Sequence, residues 1–399
     1  MRRICFILFL LVITVVPLSA QKKEISAAED QVKAGKNLDK AELAMRKLLS
    51  DSANRENEKI WSVLFSSLEK QYSQGNEKLY LKQKYDTASL FSIASRMFTY
   101  MEAYDSIDAL PDRKGRVRPK MRKENAAKLN MLRPNLFNGG LFFLGKQKYN
   151  DAYQFFDQYI SAAELPMFKG YNYSSTDHRL PRAAFWAVFC GYKLKDAGKV
   201  YHHTYLALKD TARNESMLQY LAATYLLDKD TVRCLKTLTE GFSKYPRSDF
   251  FFPHLIDYYS RRSEWNEALN ISDRAIRADS ANTVAWLTKS TIMLNIGDYA
   301  ACLAISDSLV KKNPQLADAL LNSGLARFNQ GVNLDKNTQT LRRKRQEILT
   351  LYRSALPYLE SYRSLRPNAS DRWALPLYTI YLNLNMGDKF DEIDKILKK

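Results

Sequence analysis

DFFFPHLIDYYSRRSEWNEALNISDRAIRADSANTVAWLTKSTIMLNIGDYAACLAISDSLVKKNP, residues 249–314, contains one unit written twice. In the second copy Trp286 opens an apolar helix, Gly297, Asp298 and Tyr299 form a turn, a second helix carries Cys302, Ile305 and Leu309, and Pro314 ends the unit. The first copy has Phe252, Leu255, Ile256 and Tyr259 on its first helix. Trp265 follows the turn, Ala268 and Ala275 lie on the second helix, and Ser280 closes. Steps of 34 back from Pro314 reach Ser280, Pro246 and Ala212, so four successive unit ends share one phase. A fixed period of this length marks stacked repeats, in which each unit shelters its apolar side on the next. Ala268 and Ala275, seven residues apart, share one helix face, where small side chains let the paired helix approach. Gly297 allows the tight turn. Pro246 and Pro314 lack the amide hydrogen and block the next helical turn, which stops each unit.

Outward from this stretch the same rhythm predicts further helix pairs. Residues 23–50 form one, with its turn at Gly35 and a stripe of Ala41, Ala44 and Leu48. The next carries Trp61, Leu64, Phe65 and Leu68, then Ala88, Phe91, Ala94, Met97, Phe98 and Met101 on a helix over about 84–104. A third pair has Phe137, Gly139, Gly140 and Phe143 facing Tyr149, Ala152, Phe156 and Tyr159. The fourth spans about 181–210, with Phe185, Trp186, Ala187 and Val188 followed by Tyr201, Tyr205 and Ala207. The fifth spans 215–246, from Leu218, Leu221, Ala222 and Tyr225 to Cys234 and Leu238. An eighth unit starts at Ala317 with Leu320, Gly324, Phe328 and Gly331, and its rhythm resumes at Ala355, Leu359, Tyr362 and Pro367. A last pair covers 371–399, with Gly387 at its turn and a polar, lysine-rich end suited to a cap.

The spacing and composition of these pairs resemble the tetratricopeptide repeat (TPR) family. The resemblance is strongest over 133–164 and 215–314, fair over 181–212 and 317–398, and weak before 111. It implies an all-α fold, a right-handed α-solenoid of about eight or nine helix pairs with a concave surface that binds peptides or proteins. The expected organisation is a leader at 1–20, divergent helix pairs at 21–110, a basic loop at 111–123, and repeats at 124–399. Insertions fall at 165–180 and 332–352. Gly331 to Ala355 is 24 residues where the family has five, so the second insertion lengthens the second helix. In such repeats the first helix of each pair lines the groove. The resemblance therefore implies that Phe137, Leu141, Leu144, Phe185, Phe189, Tyr192, Gln219, Asp257, Arg261, Leu287, Asn295, Leu321 and Phe328 face the partner. This set is apolar and aromatic and lacks the Lys/Asn pattern that grips a C-terminal carboxylate in chaperone-binding members. A groove for an apolar or helical segment is the expected form.

Arg2 and Arg3, the apolar run Ile4–Pro17 and Leu18-Ser19-Ala20 read as a secretory signal cut before Gln21, the alternative being an uncut anchor helix for which the run is short. Cys5 lies too early to become a lipidated N-terminus, so a lipoprotein is not expected, nor is a transmembrane segment after cleavage. With that signal the chain is similar to exported TPR proteins of Bacteroidetes type, and periplasm or envelope is the expected location, with secretion as a further outcome. The formal net charge is +18. In an exported protein this points to anionic lipid, cell-surface polysaccharide or an acidic partner rather than nucleic acid, the alternative being a soluble basic surface with no dedicated partner. Seven of the thirteen residues at 111–123 are Lys or Arg. Arg113, Lys114, Arg116, Arg118 and Lys120, with Arg342, Arg343, Lys344 and Arg345 in the second insertion, are the candidate contacts.

Seven tripeptides, beginning at Asp51, Asp86, Asp105, Asp210, Asp230, Asp279 and Asp307, resemble the O-glycosylation signal of exported Bacteroidetes proteins. Of these, Ser52, Thr211, Thr231 and Ser280 are candidate acceptors. Asp followed by Ser or Thr also caps helices.

No catalytic constellation is legible, and no cofactor or metal is expected. Gly140-Leu-Phe-Phe-Leu-Gly145-Lys146 imitates a phosphate-binding loop, but Gln147 replaces the hydroxyl residue, no strand precedes it, and the segment between the glycines is apolar and helical. His202 and His203 are adjacent and should diverge on a helix, while His178 and His254 lie elsewhere. Asp228 and Asp230 lack the Gly and Glu of a calcium loop. Cys190, Cys234 and Cys302 read as small core residues. Cys234 and Cys302, two repeats apart, are too distant for a disulfide. The expected function is an exported, non-enzymatic scaffold that binds a protein or peptide. The alternatives are a binder of anionic envelope glycan or lipid through the basic loops, or a subunit of an envelope enzyme complex.

Overall fold

Short polar residues start several of the described helices. The side chains of Asn57, Asp86, Asp196, Asp230, Asn282 and Asp298 each accept a backbone amide of the first turn they precede. Such caps satisfy donors that the helix cannot. Where one helix must turn sharply into the next, the backbone goes left-handed, at Gly35 (φ 65°) and Gly297 (φ 82°) and also at Asn37, Lys195 and Asn385. The computed structural model describes residues 20–335 and 341–398, and the described residues contain helices, 3-10 turns and loops but no strand. The fold is an all-α solenoid in two compact units, 1–229 and 230–399.

In the unit 1–229 the helices are α1 (20–34), α2 (Leu38–Leu49), α3 (Glu58–Tyr80), α4 (Thr87–Asp108), α5 (Arg122–Gly145), α6 (Tyr149–Ser161), α7 (Tyr173–Thr176), α8 (Leu180–Leu194), α9 (Ala197–His202), α10 (Thr204–Ala207) and α11 (Asn214–Leu227). Successive long helices pack on one another in chain order. The drift from the 34-residue period before 111 has a simple cause: α3 and α4 run to 23 and 22 residues, well beyond the repeat's usual helix. The basic loop ends sooner than expected, because Arg122 and Lys123 already belong to α5 and Arg122 pairs with Asp105 on α4 at 2.8 Å. The pseudo phosphate-binding segment is helix, and a Cβ on Gly140 would stand 2.6 Å from the Phe156 ring. That glycine serves close packing of α5 on α6.

Residues 165–180 are more than a connection. Two 3-10 turns (Ala162–Glu164 and Pro166–Tyr171) and α7 carry Phe168, wholly buried, among Phe98, Tyr171 and Tyr173. This segment also supplies Asp177 to a buried ion pair with Arg133 of α5. The Arg133 guanidinium lies between the rings of Tyr159 and Tyr173, 3.9 and 4.0 Å from their centroids, and Nη2 donates to the Tyr159 carbonyl at 3.1 Å. The Tyr159 hydroxyl donates to Asp177 Oδ2 at 2.6 Å. Burial alone would raise the Asp177 carboxyl, but Tyr159, Arg133 and the Arg179 amide more than reverse this and hold it below the usual carboxylate range.

The unit 230–399 holds α12 (Thr231–Lys244), α13 (Phe251–Arg261), α14 (Trp265–Ala278), α15 (Thr283–Ile296), α16 (Tyr299–Lys312), α17 (Ala317–Asp335), α18 (Leu341–Leu365), α19 (Ser370–Asn383) and α20 (Gly387–Leu397). The dividing point between the units falls in the turn of the expected fifth pair. Ala268 and Ala275 are buried, as their spacing predicts. The second insertion lengthens both helices of its pair, not the second alone. Along α17, a Cβ on Gly324 or Gly331 would come within 2.7 Å of Leu359 or 2.6 Å of Tyr352, both on α18. The side chains of Ile348 and Tyr352 are fully buried, so this extension packs as core. In the last pair the left-handed turn falls on Asn385 (φ 53°), and Gly387 begins α20 instead.

The three described cysteines are buried. Burial pushes the Cys190 thiol up to about 12 and also raises Cys234 and Cys302. A thiolate is the reactive species, so these groups should be inert while the fold is intact. Titration of the native chain starting at Gln21 with a colorimetric disulfide reagent is expected to find almost no thiol, and three after denaturation in guanidinium. Prompt labelling of native Cys190 would contradict this packing.

Candidate partner-binding groove

Four first helices in the unit 230–399, α13, α15, α17 and α19, bring side chains to one groove of about 370 Å³. Ile256 and Ser260 come from α13; Leu287, Thr288, Thr291, Ile292 and Asn295 from α15; Asp318, Leu321 and Asn322 from α17; and Arg372 from α19. Trp265, at the start of α14, closes one side. Residues four apart on a helix share a face, which is why Leu287, Thr291 and Asn295 line up.

The floor is polar and fixed. Asn322 is buried, and its Nδ2 donates to Ser290 Oγ at 3.1 Å and to Thr291 Oγ1 at 2.9 Å. Ser290 also lies 3.5 Å from the Cys302 sulfur. Behind the floor, Asp307 of α16 grips Arg327 of α17 through two bonds of 3.0 and 2.7 Å and accepts from Ser323 at 2.8 Å. Burial would raise the Asp307 carboxyl, but Arg327 and Ser323 outweigh it and hold the group below its ordinary value. At the rim Asp318 and Arg372 stand 3.5 Å apart and are both about half exposed. An exposed pair of this kind is worth roughly 0–1 kcal/mol, so either member can be redirected to a bound molecule.

Of the residues expected to face a partner, Leu287, Asn295 and Leu321 line this groove. Asp257 and Arg261 are exposed on α13 and pair with each other at 2.8 Å. Phe328 instead stacks on Tyr352 of α18, with centroids 5.7 Å apart, and belongs to the packing of that hairpin. In the other unit Phe137 and Phe185 are buried; Phe137 packs on Phe156 and Tyr159, and Phe185 on Trp186 and Tyr220. Leu141 and Leu144 are half-buried against the core. Phe189 and Tyr192 join a half-buried aromatic cluster with Tyr149, Trp186 and Tyr220, where Tyr192 stacks on Tyr220 at 4.7 Å. Gln219 bonds to Glu215 at 3.3 Å. Sequence reading missed Ser260, Thr288, Thr291, Asp318, Asn322 and Arg372 in the groove. Ser260, Thr291 and Asp318 lie one turn from Ile256, Leu287 and Leu321, which was the available signal.

Arg113, Lys114, Arg116, Arg118 and Lys120 are exposed. Arg116 holds Asp112 at 2.7 Å and Lys120 reaches Glu58 at 3.0 Å. Lys344 is half-buried, Arg345 donates to Asn383 at 3.1 Å, and the side chains of Arg342 and Arg343 lie outside the described residues. The candidate acceptors Ser52, Thr211, Thr231 and Ser280 are exposed. Their neighbouring aspartates have local duties: Asp51, Asp230 and Asp279 each accept a backbone amide just downstream, and Asp210 pairs with Arg213.

One set of residues was not legible at all. Asp157 on α6 meets His202 and His203, three groups whose ligand atoms lie within 4.8 Å of one another. The two histidines do not diverge as they would along a helix, because α9 ends at His202 and His203 leaves helical geometry (φ −111°, ψ 9°). The expected signal leader, residues 1–20, falls almost wholly outside the described residues. Among the described residues, no helix is long and apolar enough to cross a membrane.

No family model matches the chain, and no curated protein matches its sequence. Among solved structures it is similar to the C-terminal part of a TPR repeat-containing protein from Cytophaga hutchinsonii, at 11% identity and a TM-score of 0.44, over 65% of this chain and 93% of that one. It is also similar to PilW, a type IV pilus biogenesis factor, at 16% identity and a TM-score of 0.36, over 55% of this chain and 93% of that one. Yeast Tom70 gives 13% identity and a TM-score of 0.30, over 88% of this chain and 82% of that one. These likenesses are loose and assign no partner.

Proposed function

We propose that the chain is an exported, non-catalytic repeat scaffold whose 230–399 unit grips a segment of another protein in the first-helix groove. The observation that supports this reading is the convergence of α13, α15, α17 and α19 on one cleft with apolar walls and a polar, already bonded floor. Ile256, Trp265, Leu287 and Leu321 suit an apolar side chain. Ser260, Thr288, Thr291 and Asn295 offer hydrogen bonds to the polar backbone of an incoming peptide, the usual division of labour in peptide grooves. The TPR resemblance implies the same use of these helices. Export rests on the signal-like residues 1–20, and the buried Ile25, Ala28 and Val32 of α1 all lie beyond the expected cleavage point. Exposed Arg113, Lys114 and Arg118 support an auxiliary contact with an anionic envelope surface, weakened by added salt.

A photo-reactive amino acid placed at Thr291 or Asn295, both exposed, tests the reading in the native envelope. Adducts with a discrete protein band are expected from these two positions and not from Arg277 or Lys311 on the second helices. Equal adduct yields from all four, or none, would rule the groove out as the partner surface.

A further inference from the structure

We propose that Asp157, His202 and His203 form a binding site for a divalent transition-metal ion of the zinc class. His203 Nε2 lies 2.7 Å from Asp157 Oδ1, and His202 Nε2 lies 3.7 Å from the same oxygen. The imidazole centroids are 4.3 Å apart with planes at 66°. Two imidazoles therefore converge on one carboxylate, an arrangement that an intact helix through residues 202 and 203 would prevent. The end of α9 at His202 produces it. Around a tetrahedral zinc ion with bonds of about 2.0–2.1 Å, ligand atoms stand roughly 3.3 Å apart. The His203–Asp157 separation needs to open, and the His202–Asp157 separation to close, by about half an ångström, which side-chain rotation supplies.

The surroundings fit an ion more closely than a chance hydrogen bond. His203 has a side chain only 8% exposed and its ring lies beside Tyr153, so it is a fixed ligand. His202 is 63% exposed and Asp157 35%, which leaves an entry path and an open coordination position. The one lysine on α9, Lys199, turns to Asp196 at 2.5 Å and does not compete for Asp157. Two nitrogens and one oxygen are borderline donors: they suit zinc, nickel or copper, whereas magnesium and calcium take all-oxygen sets. Binding would staple α6 to the end of α9 through ligands 46 residues apart in the chain.

Equilibrium dialysis of the full mature chain against zinc chloride alone is the test, with thermal unfolding in parallel. One zinc per chain at micromolar or tighter dissociation constant is expected, with a rise in melting temperature on saturation. His202→Ala, at an exposed position, should keep the metal-free melting temperature, weaken binding at least tenfold and lose the zinc-induced rise. Asp157→Asn should weaken binding similarly, while a control lacking His178 and His254 should bind as the native chain does. Absence of stoichiometric binding up to about 100 µM zinc would overturn the proposal. So would binding unaffected by His202→Ala, or binding lost in the His178/His254 control.

Discussion

Arg133→Met is expected to destabilise the protein by about 3–5 kcal/mol, the usual cost of removing one partner of a buried ion pair. The substitution leaves the Asp177 carboxylate with a side chain 11% exposed and without its counter-ion. It also removes the cation from between Tyr159 and Tyr173, each within about 4 Å of the guanidinium. Methionine roughly preserves the volume, so the loss should come from charge and hydrogen bonding more than from a cavity. Urea unfolding measures the change. The double variant Arg133→Met, Asp177→Leu should recover much of the loss, because no buried charge is then left alone. Equal destabilisation by the single and double variants would show that this ion pair does not organise the 165–180 segment. The pH dependence has a definite sign. Asp177 has a folded-state pKa below its unfolded value, so its contribution is present above the unfolded pKa of about 4 and is lost as pH falls through the folded value. Arg133→Met should remove that part of the acid sensitivity.

Trp373→Ala is expected to cost about 3–5 kcal/mol, the range for deleting a large buried aromatic side chain. Trp373 is 2% exposed on α19 and sits in the core formed by α17, α18 and α19. Its Nε1 donates to the Arg366 carbonyl at 3.1 Å, and Arg363 lies over the ring at 5.0 Å. Alanine would leave a cavity and would remove both the indole hydrogen bond to the Arg366 carbonyl and the ring beneath Arg363. Leu375, two residues on along the same helix, is 62% exposed, and Leu375→Ala should change stability by less than about 0.5 kcal/mol. The two variants, compared by denaturant midpoint, test which face of the last pair is the core. Similar small effects from both would contradict the packing of α19.

The repeat pattern was legible because burial imposes it. Ala268, Ala275 and Cys302 are small where helices approach, and Pro246 and Pro314 stop helices where the chain must reverse, so local chemistry alone reported the fold. Legibility failed where an element's role depends on a distant partner. Phe168 and Asp177 fall in the expected insertion at 165–180, outside the repeat rhythm, yet the first fills a core aromatic cluster and the second neutralises Arg133. The insertion after Gly331 extends α17 as well as α18, because a longer second helix exposes apolar surface that only a longer first helix can cover. Of the residues that family geometry assigns to the first-helix surface, Leu287, Asn295 and Leu321 line the cleft. Phe328, assigned to the same surface, turns its ring to Tyr352 of the lengthened hairpin. Asp157 and His203 are separated by 46 residues and by a helix break, and periodicity carries no trace of their meeting.

Selection of displayed random peptides on the full mature chain tests most directly whether the first-helix groove binds protein segments. A groove of this kind predicts enrichment of peptides that share an apolar anchor and that bind the Thr291→Arg, Asn295→Arg variant at least tenfold more weakly. No enrichment, or enriched peptides that bind the variant as well as the native chain, would contradict it.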